Sequence, residues 1–129
     1  MDPQFRDRLE RGVKLFNEAS FFEAHEVWED SWRASEGEAR LFLQGLIQIA
    51  AGFVKLQRGE PRGMLLLLDA GAEKLRRVAP PWWGVDIGGL LEAVSTWSAV
   101  GQRMMETGDR TFEAASLPRL RLRPEGIPR

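Results

Sequence analysis

A chain of 129 residues with 43% hydrophobic and 29% charged side chains has single-domain length and the composition of a folded globule, which excludes intrinsic disorder. The net charge of −1 supplies no global attraction to nucleic acid, and the absence of cysteine excludes disulfides, thiolate zinc sites and cysteine nucleophiles. Apolar runs such as Met64 to Leu68 fall far short of the roughly 20 residues that a bilayer crossing needs, and Asp2, Arg6, Asp7 and Arg8 interrupt the N-terminal stretch, so a cytoplasmic protein without a membrane segment is expected.

Asp2-Pro3 offers an N-cap and an N1 proline, which predicts a first helix from about Pro3 to Phe16 or Asn17 with Phe5, Leu9, Val13 and Phe16 on one face. Ser20-Phe21-Phe22-Glu23 has the form of a capping box and starts a second helix that runs to about Arg33. The few residues between the two helices force an antiparallel hairpin. Gly12, Ala24 and Trp28 fit the spacing of one tetratricopeptide-like hairpin, but the next pair of helices does not repeat them, so a solenoid is not predicted.

Ser35-Glu36-Gly37-Glu38 repeats the capping-box pattern ahead of a third helix reaching about Arg58, and Gly59-Glu60-Pro61 separates it from a fourth, Arg62 to about Val78. The stretch Ala79-Pro80-Pro81-Trp82-Trp83-Gly84 reads as a packed loop, and its two tryptophans suit closure of a core end better than a partner-binding patch. Asp86 caps a fifth helix to about Thr107, with Leu90, Leu91, Val94, Trp97 and Met104 inward. A short helical turn follows Gly108, then an extended, proline-punctuated tail with a candidate extended segment at Leu120 to Leu122. The expected fold is therefore all-α: a compact multihelical bundle of about five helices built from antiparallel hairpins, with a single helical domain over residues 1–116 and a tail over 117–129. A single asparagine and no cysteine also fit the depletion of heat-labile residues in heat-adapted proteins.

The only histidine, His25, lies on the second helix within the segment Ser20–Trp32, where acids and tryptophans cluster. Advancing 100° per residue, Phe21, Ala24, Trp28 and Trp32 form the inward stripe; His25 stands at its edge with Glu29 one turn on, while Glu23, Glu26 and Asp30 face solvent. On the third helix Gln44, Gln48 and Lys55 line up beside the small residues Gly45, Ala51 and Gly52, which would let the second helix approach closely. The candidate site is thus a half-buried polar strip of His25, Glu29, Gln44, Gln48 and Lys55, walled by Trp28 and Trp32 and mutually hydrogen-bonded. "HEVWE" carries Glu29 where a His-Glu-x-x-His zinc helix has its second imidazole, and there is no di-iron spacing, phosphate loop or nucleophile elbow, so no metal and no cofactor are expected.

The stretches "FNEASFFEAHEVWEDSWR", "LQGLIQIAAGFVKLQRGEPRGMLLLL" and "WGVDIGGLLEA" resemble the bacterial and archaeal family catalogued as domain of unknown function 309, from about Phe16 to Leu91. The resemblance implies a compact multihelical domain and assigns no activity. Its Glu-Ala-His-Glu run falls on Glu23, Ala24, His25 and Glu26, its following tryptophan on Trp32, and its Gly-Leu-Ile-Gln run on Gly45, Leu46, Ile47 and Gln48. Lys55 departs from it, since relatives commonly carry histidine there.

Functionally the sequence points first to a helical binding or interaction protein with a small-ligand site around His25, its partner an unidentified small molecule or protein and its state a monomer or small homo-oligomer. Two competing readings are an enzyme in which His25, oriented by Glu29, performs hydrolase-like acid–base chemistry, and a nucleic-acid-associated protein using Arg119, Arg121, Arg123 and Arg129; nucleic acid is the weaker candidate. Whether the protein is an enzyme at all is not settled by these residues.

Overall fold

The structure is a computed structural model and describes residues 2–123. Among them are five α-helices, α1 (Phe5–Asn17), α2 (Phe21–Arg33), α3 (Gly37–Gln57), α4 (Pro61–Arg76) and α5 (Ile87–Thr107), with short 3₁₀ turns at Trp82–Gly84 and Ala114–Ser116. The all-α bundle expected from the sequence is what forms. Leu9, Val13 and Phe16 of α1 meet Phe21, Ala24 and Trp28 of α2 across the short connection, as the apolar spacing requires. The turn between them places Ala19 at φ 61°, a left-handed conformation that its carbonyl helps to hold by accepting a hydrogen bond from Gln57 Nε2 at 3.0 Å.

Helix α3 is the centre of the molecule: it packs against α2 on one side and α4 on the other, and from Phe42 to Leu56 it buries large side chains at helical spacing such as Phe42, Leu46, Ile49 and Phe53. It is long and apolar enough, by length and composition, to cross a membrane, and its burial between two other helices accounts for that apolarity here. The small residues of α3 serve α4 rather than α2, which corrects the expectation from the sequence. A Cβ on Gly45 would meet Leu75 Cγ at 2.7 Å, one on Gly52 would meet Leu68 Cδ2 at 2.8 Å, and one on Gly71 would sit 2.7 Å from the Gly45 carbonyl oxygen. The α3–α4 pair therefore approaches backbone to backbone.

Helix starts depart from the predicted caps at Asp2, Ser20 and Ser35. Asp86 does cap α5, accepting from the Gly89 N–H at 2.9 Å. Ser20 makes no side-chain cap, and Ser35 is buried one residue before the Glu36 N-cap of α3 with its Oγ unpaired, so neither capping box forms. Asp2 holds the start of α1 indirectly: its carboxylate accepts from the Gln4 N–H at 2.9 Å, from the buried Ser31 hydroxyl at 2.7 Å and from Arg8 at 3.1 Å.

The tail does not hang free over its described part. Leu120 is buried, Asn17 brackets it by donating to its carbonyl at 3.0 Å and accepting from its N–H at 2.6 Å, and Leu122 forms an isolated antiparallel bridge with Val85. Arg6 adds hydrogen bonds to the Trp83 and Arg123 carbonyls, both at 2.8 Å. The remainder of the predicted tail, including Arg129, lies outside the described residues. Trp83 closes the end of the core against Phe42 and Phe5, with ring centroids 4.9 and 5.5 Å away, the closure role expected of that loop.

Candidate functional site

Helix α2 turns His25 toward the C-terminal half of α3. A shallow groove there is lined by Phe22, His25, Ala51, Val54, Lys55 and Arg58. Phe22 is 46% exposed, an uncommon placement for so large an apolar ring, and it lies against the imidazole with centroids 5.7 Å apart. Ala51 leaves the room that makes the groove, and Val54 supplies the facing apolar wall. Two cations stand at the rim: Lys55, whose ammonium reaches Glu60 at 3.0 Å, and Arg58, which makes no side-chain hydrogen bond or ion pair among the described residues.

Of the seven predicted site residues, the groove brings together His25 and Lys55. Glu29 flanks it, with its carboxylate 3.5 Å from His25 Nε2 and 3.3 Å from Arg33, so the predicted intrahelical pair is present, though long for a hydrogen bond. Gln48 and Gln44 continue the same stripe of α3 beyond Ala51, yet neither makes a side-chain hydrogen bond to His25 or Glu29. The mutually bonded network therefore does not form among the described residues. His25 Nδ1 and Gln48 Oε1 are both buried without a partner, which is where a connected strip would have placed its bonds.

The two tryptophans are not walls of this groove. Trp28 is fully buried between α1 and α2, its indole laid directly over Gly12 and its N–H aimed at the Leu9 carbonyl at 3.4 Å. The Gly12–Trp28 spacing was the signal for this helical hairpin contact, and the contact consumes the tryptophan. Trp32 lies at the edge of α2 under the Arg40 guanidinium, 3.9 Å from the ring centroid, a cation–π contact that ties α2 to the start of α3. Phe22 and Arg58 are the residues that sequence reasoning missed. Both fall outside the inward stripes, and an exposed phenylalanine beside a histidine is a signal only once the neighbouring helix is in place.

The groove combines an apolar floor with the cationic groups of Lys55 and Arg58 on one side, a combination found in small-molecule sites. Among the described residues no three histidine or carboxylate side chains converge in the way a metal ion requires. General acid–base work is poorly served, because it needs an imidazole nitrogen facing the substrate, whereas His25 turns Nε2 to Glu29 and buries Nδ1.

No curated protein matches the sequence. A family model does, over residues 9–67, from the first core leucine of α1 through the groove to the middle of α4. The third stretch of resemblance, at the start of α5, lies beyond the matched segment. By that match residues 9–67 of the chain resemble the family described as Domain of unknown function (DUF309).

Proposed function

We propose that the protein is a small helical binding module whose ligand site is the α2–α3 groove at His25, and that the ligand is a small molecule with an apolar body and an acidic group. The observation that carries this reading is the juxtaposition of the half-exposed Phe22 ring, Ala51 and Val54 with Lys55, His25 and the Arg58 cation, which has no side-chain partner among the described residues. The apolar residues would bury the body of such a ligand, and the Arg58 guanidinium would meet its carboxylate. The acid–base reading is the weaker one for the geometric reason given above.

The test is a thermal-shift screen of carboxylate metabolites against the wild type and Ala51→Phe, which fills the groove without removing any of its polar groups. A ligand that binds only the native state raises the melting temperature. The proposal expects at least one compound to stabilise the wild type and to leave Ala51→Phe unshifted. Equal shifts in both proteins, or none in the wild type across the library, would overturn it.

A further inference from the structure

A second concavity lies at the other end of the molecule, where the loop after α4 meets the returning tail. It encloses about 490 Å³, within the range of small-molecule sites, and its walls include Pro81, Trp82, Asp86, Arg121 and Arg123. That loop touches α3 at Phe42, whereas the His25 groove lies near Val54, about 18 Å further along the helix at 1.5 Å per residue. The two places are separate.

Three features make this cavity more than a surface fold. First, Trp82 is fixed. Its indole N–H donates to the Val78 carbonyl at 2.7 Å, so the polar edge of the ring is used internally. Its backbone sits at φ 53°, a costly conformation for a non-glycine residue. Trp83 shares that conformation and is repaid by packing on Phe5 and Phe42; Trp82 is only half-buried and lines the cavity instead.

Second, the two arginines are placed as a pair. Leu122 is bridged to Val85, and in an extended segment side chains alternate, which sends residues 121 and 123 to the same side. Their backbone is held at several points: the Asp86 N–H donates to the Arg121 carbonyl at 2.9 Å, the Arg123 N–H to the Gly84 carbonyl at 3.1 Å, and Arg6 to the Arg123 carbonyl at 2.8 Å. Third, neither Arg121 nor Arg123 makes a side-chain hydrogen bond or ion pair among the described residues. Asp86 is the only acid among the lining residues, and one of its oxygens is already occupied by the Gly89 N–H.

We infer that this cavity is a second binding site, for a nucleoside monophosphate: the ring lies against Trp82 and the neighbouring prolines, and the phosphate is held between the Arg121 and Arg123 guanidiniums. A planar fork of N–H donors matches a phosphate in a way that a lysine ammonium does not. The free Asp86 oxygen suits a ribose hydroxyl. The volume fits one nucleotide, and the net charge of −1 supplies no global attraction for a polyanion.

The experiment is isothermal titration of the full chain with the four nucleoside 5′-monophosphates, the matching nucleosides, inorganic phosphate and a short single-stranded RNA. The proteins are the wild type, the double variants Arg121→Ala/Arg123→Ala and Arg121→Lys/Arg123→Lys, and His25→Ala. At least one monophosphate should bind the wild type, and tighter than its nucleoside or phosphate alone. The double alanine variant should lose at least tenfold in affinity and the double lysine variant several-fold, while His25→Ala binds unchanged, which keeps this site distinct from the groove. Unaltered urea midpoints for the arginine variants establish that the losses are not unfolding. Failure of every monophosphate to bind at millimolar concentration, unchanged affinity in the double alanine variant, or binding of the RNA alone would overturn the inference.

Discussion

Asp2 shows how a single side chain near the chain start can be made part of the core. It is nearly inaccessible, and burial alone would raise its carboxyl pKa; the Ser31 hydroxyl, the Gln4 N–H and Arg8 outweigh that and hold it below its ordinary value of 3.8. A carboxyl whose pKa is depressed by folding adds stability above its unfolded pKa, and the contribution disappears as pH falls through the folded value. Asp2→Asn should therefore be less stable than the wild type at neutral pH, and the gap should narrow as acidification protonates the Asp2 carboxyl, as read from urea unfolding at several pH values. His25 and Gln48 make the opposite case. Each buries an unpaired polar atom, and no bond joins them, so the stability losses of His25→Ala and Gln48→Ala should add to within about 0.5 kcal/mol in a double-mutant cycle. A larger coupling energy would restore the connected strip. Helical periodicity set Glu29 one turn from His25 and lined Gln48 up with Lys55 on α3, and the groove holds His25 and Lys55 together. Periodicity could not supply the last few ångströms between two side chains, which depend on the depth and rotation of the helix packing.

Among the elements, α3 and α4 show where pattern reading succeeds and where it stops. The number, order and approximate limits of the helices were legible because Gly59-Glu60-Pro61, the Ala79–Gly84 loop and Asp86 are strong punctuation and the apolar spacing is regular. The stripe of Gly45 and Gly52 was legible as a close-approach surface, but periodicity names no partner, and α4 claims it through Gly71, Leu68 and Leu75. Likewise Ser20 and Ser35 match a capping box in sequence while the backbone before each helix directs them elsewhere; only at Asp86 do pattern and local geometry agree. Gly71→Ala tests the α3–α4 contact. Alanine favours a helix over glycine by about 0.5–1 kcal/mol, but here its Cβ would press on the Gly45 carbonyl and the Ile49 backbone, neither of which can move aside. Overpacking of about 1–3 kcal/mol should win, giving a net loss in chemical denaturation, whereas a gain would mean that the helices separate at little cost.

On the scale of the whole molecule, the chain is closed by its own tail. Asn17 at the end of α1 satisfies both backbone groups of Leu120, and Arg6 at the start of α1 reaches the Trp83 and Arg123 carbonyls, so one helix anchors the loop after α4 and the returning segment together. Composition marked residues 117–129 as a tail, and nothing in the sequence pairs the only asparagine with a leucine more than a hundred positions away. Asn17→Ala leaves the Leu120 N–H and C=O without their partners, and a loss of about 2 kcal/mol is expected by urea unfolding. This closure leaves the α2–α3 groove open on one side of the central helix, where recognition is proposed to occur. The most direct test is a two-dimensional ¹H–¹⁵N NMR titration of the wild type with pooled carboxylate metabolites. Saturable shifts centred on Phe22, His25, Ala51, Val54, Lys55 and Arg58 are predicted; spectra that do not change, or saturable shifts that bypass these residues, would contradict the account.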